Sequence, residues 1–528
     1  MPAWYAPMQS EAGSFLRAWI NPLLLGVVTG GLFAWWAWRT SFDGLLADGY
    51  IYLLMADALG HARASDALTW RFLFGEYPFP PLYPLLLAAV NAGADNPLNA
   101  IMLNAGLLGA SFAVLARWYA SLGIAPGAAL ALSLSFALLP ISFLTALDVQ
   151  SEPLYLLLTL CTLYALQRAR AAPIAWLVAG VCCGLAVLTR TVGIALLGAF
   201  TLSWLMAGRQ RKPLALLCAW LPYVGWQIFR HWHGLAASYL RYRTLAPRDF
   251  FEATLQIVPL NLRALGYALP RSFDLQGAPQ VGLVLALLGL GAGLVFLQRL
   301  RRGDCDARYL LLYVGVIMLW PHPDHFRRFL FVVLPLAGGY VMSAITEGVR
   351  GRCSRWVATA VGYTLPGVLL VLAAPSLLAL RHEFALAVTP ERRALSHSPA
   401  RYLAPSLAAA AVRAQAFKPV IGLLQHARTE LPASACIVSA IPEQVMYYAR
   451  RPGLDLVHAR AAPSALLRQC PYVLMIAFRS FPDNGVPPMF PFEALRTELS
   501  ILDLVRSDPR ARDSPVRAIL AHYRAAEK

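Results

Sequence analysis

Charge is what this chain has least of. Asp, Glu, Lys and Arg together make up 14% of its 528 residues, against 58% hydrophobic. A soluble globular chain carries about 25% charged residues, so the composition excludes a soluble enzyme or binding module and requires an integral membrane protein. Lysine is nearly missing. Lys212, Lys418 and Lys528 are the only three, and the net charge of +17 rests almost wholly on arginine. That balance does not read as nucleic-acid binding, because the basic residues are spread through loops between apolar runs. A positive-inside bias and contact with anionic headgroups or phosphates account for it better. Cysteine gives no metal framework: Cys161, Cys182, Cys183 and Cys218 lie in apolar stretches, and no pair has zinc-ligand spacing. The stretch after Arg17 has no small-residue cleavage site and reads as a retained first span.

Against these absences stand about eleven apolar segments, each compared with the ~20 residues a bilayer requires. They fall near 19–38, 97–117, 126–147, 153–167, 174–188, 192–207, 213–229, 281–298, 309–320, 329–345 and 357–380. The connections after the fourth, sixth, eighth and tenth read Arg168-Ala-Arg170, Arg209-Gln-Arg-Lys212, Arg299-Leu-Arg-Arg302 and Arg350-Gly-Arg352. Placing these basic loops inside puts the N-terminus in the cytoplasm and the long C-terminal tail outside. The apolar run 82–92 has about half the length of a span and begins with two prolines. It reads as a juxtamembrane helix on the outer face, which keeps the parity of every later loop.

With that topology the conspicuous polar residues gather on one side. Asp43 and Asp48 lie in the first outer loop, Asp148 and Glu152 in the second, and Arg190 at a third turn. The segment 230–271, with Arg241 and Arg243, forms a fourth; His322, Asp324, His325 and Arg327 form a fifth, with Arg328 at the mouth of the next span. Two readings fit Arg190, which interrupts an apolar stretch too short for two comfortable spans. It snorkels to the interface, or it holds a phosphate between guanidinium nitrogens. Glu152, at the start of a span, either complements the helix dipole or takes part in chemistry. Asp48 has less room for a capping role alone, because Tyr50 and Tyr52 place aromatics on an interfacial helix beside it. His322, Asp324 and His325 are the one cluster able to hold a divalent metal, and without further ligands they carry little weight. Gly26-x-x-x-Gly30 and Gly180-x-x-x-Gly184 read as close helix packing.

The tail changes character near Glu383. Helical spacing over 421–431 and 443–450 alternates with short β-type runs at 436–441, 454–458 and 472–477, while the last part is less regular. This pattern predicts a small α/β domain over 381–528, following a membrane domain over 1–380 with outer-face helices in 40–96 and 230–279. Cys436 and Cys470 stand near the starts of two predicted strands, where an oxidising compartment would allow them to pair.

The ordered motifs carry a resemblance. Asp48-Gly-Tyr-Ile-Tyr52 with Pro80-Pro81-Leu82-Tyr83-Pro84 resembles the first-loop signature of GT-C fold glycosyltransferases. The nearest by pattern are the protein O-mannosyltransferases and the aminoarabinose transferases that modify lipid A. Ser151-Glu152-Pro153-Leu154-Tyr155 is similar to their second acidic motif, and Gly184 to Arg190 to their basic turn. Trp320-Pro321 with Arg328-Phe329-Leu330 and Pro335 resembles their late membrane segment, and 439–448 their outer domain. The resemblance implies a mostly α, polytopic GT-C helix bundle of about eleven spans in a bacterial inner membrane, with the C-terminal α/β domain outside. It implies transfer, with inversion, of a sugar from a polyprenyl-phosphate donor to an acceptor on the outer face. Asp48 and Glu152 are then the catalytic carboxylates, and Arg190, Arg241, Arg243, Arg327 and Arg328 the donor-phosphate ligands. Tyr50, Tyr52, Tyr83, Asp148, His322 and His325 line the substrate pocket. No cofactor is expected. Aminoarabinose-type members commonly carry a basic residue just before Pro-Pro, where this chain has Phe79, so phosphate binding falls to Arg190 and the fourth-loop arginines. A polysaccharide polymerase or ligase, or a non-catalytic transporter or accessory subunit, is the alternative.

Overall fold

A computed structural model describes residues 12–40, 47–60, 70, 72–76, 79–169, 172–208, 212–235, 247–272, 279–320, 326–349, 354–386, 420–439, 441–455, 467–468, 470–476, 499–506 and 516–523. Most of these residues are helical. The membrane part begins with a 29-residue helix α1 (Ala12–Thr40) and a shorter α2 (Ala47–Gly60), followed by α3 (Leu82–Ala89) and α4 (Pro97–Ser121). The eight residues of α3 are far too few to cross a bilayer.

α1 lies along α4 because both carry glycine where their backbones meet. A Cβ on Gly26 would stand 2.8 Å from the Gly109 carbonyl oxygen, and one on Gly30 3.2 Å from that of Ala105. Gly180 and Gly184 face the backbone of the helix Pro213–Trp232 in the same way, at Ala215 and Cys218. Both glycine pairs therefore serve helix packing. On the opposite faces apolar side chains are bare. Leu214, Leu217, Leu221, Val224 and Ile228 form one exposed stripe, and Ile20, Leu23, Leu24 and Val27 another. Lipid is the solvent for such stripes, and the chain is an integral membrane protein.

Among the described residues three helices are long and apolar enough to span on their own: Ala18–Trp38, Pro97–Ser121 and Arg328–Val349. The predicted span 126–147 is divided into Pro126–Ala137 and Pro140–Ala146, bent by 63°. Pro140 supplies no N–H to continue the first helix and instead starts the second. Ile174–Val187 and Ile194–Met206 are also shorter than a bilayer-crossing helix, and Arg190 lies in the turn between them.

The C-terminal part forms a five-stranded mixed sheet. β1 (Ile437–Ser439) lies between β2 (Gly453–Asp455) and β3 (Tyr472–Ile476), parallel to both. β5 (Val516–Tyr523) then runs antiparallel between β3 and β4 (Leu499–Arg506). The sequence pattern misses β4 and β5. β5 is paired on both sides, and Ala518, Leu520, Ala521 and Tyr523 are all buried, so the alternation that marks a half-buried strand is broken. A helix over 420–430 covers one face of the sheet through Leu423, Leu424 and Ala427. Cys436 and Cys470 are joined in a disulfide ahead of β1 and β3.

Candidate active site

The site is assembled at the ends of helices that lie far apart in sequence. Asp48 stands in the first turn of α2, where the unpaired backbone N–H groups favour an anion. α2 is seated on the Pro-Pro motif through its aromatics: the Tyr52 ring lies 5.0 Å from both Phe79 and Tyr83, edge-on to the latter. Leu82, the first residue of α3, donates its N–H to the Leu188 carbonyl at 2.9 Å, which ties the motif to the Arg190 turn. Tyr83 donates to Asn104 Oδ1 at 3.0 Å, and Asn104 Nδ2 donates in turn to the carbonyls of Asp148 (2.8 Å) and Gln150 (3.2 Å). Asn104 thus secures the second acidic loop against the first motif. An amide in the middle of an apolar run is its only signal in the sequence.

Asp148 is buried, and its carboxylate accepts from the Val149 N–H and from the Gln150 side chain. It folds its own loop. Two residues on, Ser151 and Glu152 turn toward the arginines. Ser151 Oγ is 2.9 Å from the Tyr52 hydroxyl and accepts from Arg190 Nη1 at 3.2 Å. Glu152 Oε1 takes both guanidinium groups, with Arg190 Nη1 at 2.7 Å and Arg328 Nε at 2.8 Å. Arg328 Nη1 continues to Asp48 Oδ2 at 2.7 Å. The order Asp48–Arg328–Glu152–Arg190 is therefore one continuous chain of opposite charges.

Its members differ in access. The Glu152 side chain is 2% exposed and both arginine side chains 15%, while Asp48 is 25% exposed. Burial acts to raise the pKa of Glu152, but Arg190 and then Arg328 outweigh it and hold the carboxyl below its ordinary value. Glu152 Oε2 and Arg328 Nη2 are both buried, with no hydrogen-bond partner among the described residues. The cluster can therefore accept one more hydrogen-bonding group on each side. The Arg190 guanidinium is held inside the protein, 6.0 Å from the Phe329 ring.

The late motif supports this arrangement. Arg328 and Phe329 lie near the start of the helix Phe326–Val349. Trp320 packs edge-on against Phe329 at 5.4 Å, and Tyr313 donates to the Phe329 carbonyl at 3.2 Å. Asn261, from the helix Pro247–Ser272, donates to the carbonyls of Met318 and Trp320, both at 2.8 Å. Arg241, Arg243, His322 and His325 lie outside the described residues, as does the Arg327 side chain. Tyr50 is buried beside Asp48 and is covered from the C-terminal part: its hydroxyl lies 2.9 Å from that of Tyr448.

No family model matches the chain, and no curated protein does. Solved structures do. ArnT from Cupriavidus metallidurans in the apo state superposes with a TM-score of 0.52 over 97% of this chain and 98% of that one, at 14% identity. The same protein bound to undecaprenyl phosphate gives 0.50 over the same shares, also at 14% identity. The chain has the GT-C fold that its motifs resemble.

Proposed function

We propose that the protein is a membrane glycosyltransferase that moves a sugar from a polyprenyl-phosphate donor to an acceptor hydroxyl on the outer face of the membrane. The observation that carries this reading is the charge chain Asp48–Arg328–Glu152–Arg190, in which a more accessible carboxylate pairs with one of two largely buried guanidinium groups that a buried carboxylate holds together. The ArnT structure with undecaprenyl phosphate supports the donor class, since the two chains share a fold along nearly their whole lengths. The Cys436–Cys470 disulfide fits an extracytoplasmic tail.

Each residue type matches a need of the reaction. The acceptor oxygen attacks the anomeric carbon from the side opposite the phosphate, so the configuration inverts. Its proton passes to Asp48, a contribution worth typically ~10²–10⁴-fold for a placed general base. The bond from the anomeric carbon to the phosphate oxygen breaks, and the polyprenyl phosphate leaves with that electron pair. Arg190 and Arg328 balance the growing charge, and Arg328 Nη2, without a partner among the described residues, is a donor ready for a phosphate oxygen. Glu152 holds the two guanidinium groups together in the absence of that anion. Tyr52 and Tyr83 fix the helix and the motif around the carboxylate.

The test is transfer or hydrolysis by the purified full-length protein with a panel of labelled undecaprenyl-phosphate hexoses and pentoses. One or more donors should turn over, and Asp48→Asn should reduce that rate about 100-fold or more with expression intact. Turnover by Asp48→Asn at the wild-type rate would remove Asp48 as the base. A wild-type protein inert toward every donor, yet folded, would overturn the reading.

A further inference from the structure

The turn Val445–Ala449 with Arg450 lies against α2 although almost four hundred residues separate them. The Tyr50 ring meets Tyr447 at 4.8 Å and Tyr448 at 5.7 Å, in addition to the contact between the Tyr50 and Tyr448 hydroxyls. Met446 packs into the buried cluster of Ile51, Leu54 and Met55. Further along, Asp57 is 3.7 Å from Arg450 Nη1, while Arg450 Nη2 reaches Asp95 at 2.6 Å. Asp57 also accepts the Ala94 N–H at 3.0 Å, at a place where a Cβ on Gly93 would collide with its carboxylate.

Positions 50, 54 and 57 share one face of a helix. The turn therefore grips α2 along nearly its whole length, from one residue pair beyond Asp48 to its last turn. A 14-residue helix is marginal without such partners. Arg450 has φ 51°, in the left-handed region that glycine occupies more readily. The position is held instead by the residue whose side chain makes both ion pairs, and its guanidinium also lies over the Tyr447 ring at 5.7 Å.

We infer that the turn Val445–Arg450 is a positioning clamp for the Asp48 helix, acting through Tyr448 on Tyr50 and through Arg450 on Asp57 and Asp95. Asp48 touches the acceptor in the reading above, on which the catalytic part of this inference rests. The clamp therefore governs the rate of the transfer step first, and reaches donor binding only indirectly, through the Asp48–Arg328 pair and the Tyr52–Ser151 contact.

Hydrogen–deuterium exchange of the full-length protein in lipid nanodiscs reads the helix directly. Wild type is compared with Tyr448→Phe, Arg450→Gln and Arg450→Lys. Amides of 47–60 should exchange about tenfold faster in Arg450→Gln, with 97–121 unchanged, because a charge-assisted contact is lost locally. Arg450→Lys should recover most of the protection, and Tyr448→Phe should show a smaller increase confined to the start of α2. In transfer with the undecaprenyl-phosphate sugars, Arg450→Gln should lower kcat severalfold and change the affinity for undecaprenyl phosphate less. Equal exchange over 47–60 in all four proteins would overturn the clamp, whatever the activity. So would loss of protection throughout Arg450→Gln, or a change in undecaprenyl phosphate affinity without one in kcat. Faster exchange over 47–60 in Arg450→Gln beside a wild type that transfers no sugar would support the clamp and overturn the glycosyltransferase reading instead.

Discussion

Replacing Glu152 with glutamine tests whether the site is balanced for an incoming anion. The substitution keeps the shape of the side chain and removes the negative charge that pairs with Arg190 at 2.7 Å and Arg328 at 2.8 Å. Removing one partner from a buried ion pair costs about 3–5 kcal/mol, because the other charge is left uncompensated. Here two guanidinium groups are left facing one another, but Arg328 retains Asp48 and the amide oxygen still accepts one hydrogen bond. A loss near the lower limit, about 3 kcal/mol, is therefore expected. Thermal unfolding in one detergent, with and without undecaprenyl phosphate, measures it. The free variant should melt lower than wild type. Undecaprenyl phosphate should stabilise the variant more than it stabilises wild type, because its phosphate replaces the missing carboxylate. A ligand at a hundred times its Kd contributes about 2.7 kcal/mol, enough to offset most of the deficit. The pH dependence gives a second reading. The Glu152 pKa is lowered in the folded protein, so its contribution is complete above the ordinary value near 4.5 and is lost as pH falls through the lower folded value. The gap between wild type and Glu152→Gln should therefore persist at neutral pH and close in acid. Equal melting of the two free proteins at neutral pH would refute the argument, and so would a larger ligand shift in wild type.

The sequence made the membrane class, the ordered motifs and all four members of the charge chain legible, each for a local reason. Asp48 and Glu152 are carboxylates at the ends of apolar runs, and Arg190 interrupts one. What it did not reveal was their relation. Arg327 and Arg328 are indistinguishable as neighbours in the sequence, and the direction of Arg328 is given by its bonds to Glu152 and Asp48. For Glu152 a helix-dipole role and a chemical one both fit the sequence, because the two arginines it pairs with lie 38 and 176 residues away. A window of about twenty residues also counts spans by length. It therefore overlooks a helix broken at Pro140, whereas the 14- and 13-residue helices that flank Arg190 fall where the apolar segments 174–188 and 192–207 place them. Tyr448 belonged to a recognised motif, but no local pattern shows that a tyrosine 398 positions away covers Tyr50.

Two further expectations follow from the topology and the arginines. Reporter fusions should place 209–212 in the cytoplasm and the tail ending at Lys528 outside; a phosphatase fusion active at Arg209 and inactive at Lys528 would refute the orientation. Arg190 separates phosphate recognition from a general need for positive charge. Its Nη1 already serves Glu152 and Ser151, so a donor phosphate must share a guanidinium whose planar shape fixes the direction of every N–H. Lysine restores the charge without that geometry. Donor titration should accordingly give a raised KM for Arg190→Lys and a larger one for Arg190→Ala, by about tenfold or more for a charge-assisted contact. The acceptor KM should move less, because the contact is to the leaving group. Overlapping donor curves for all three proteins would confine Arg190 to holding Glu152 and Ser151, and would leave Arg328 Nη2 as the phosphate donor to be tested.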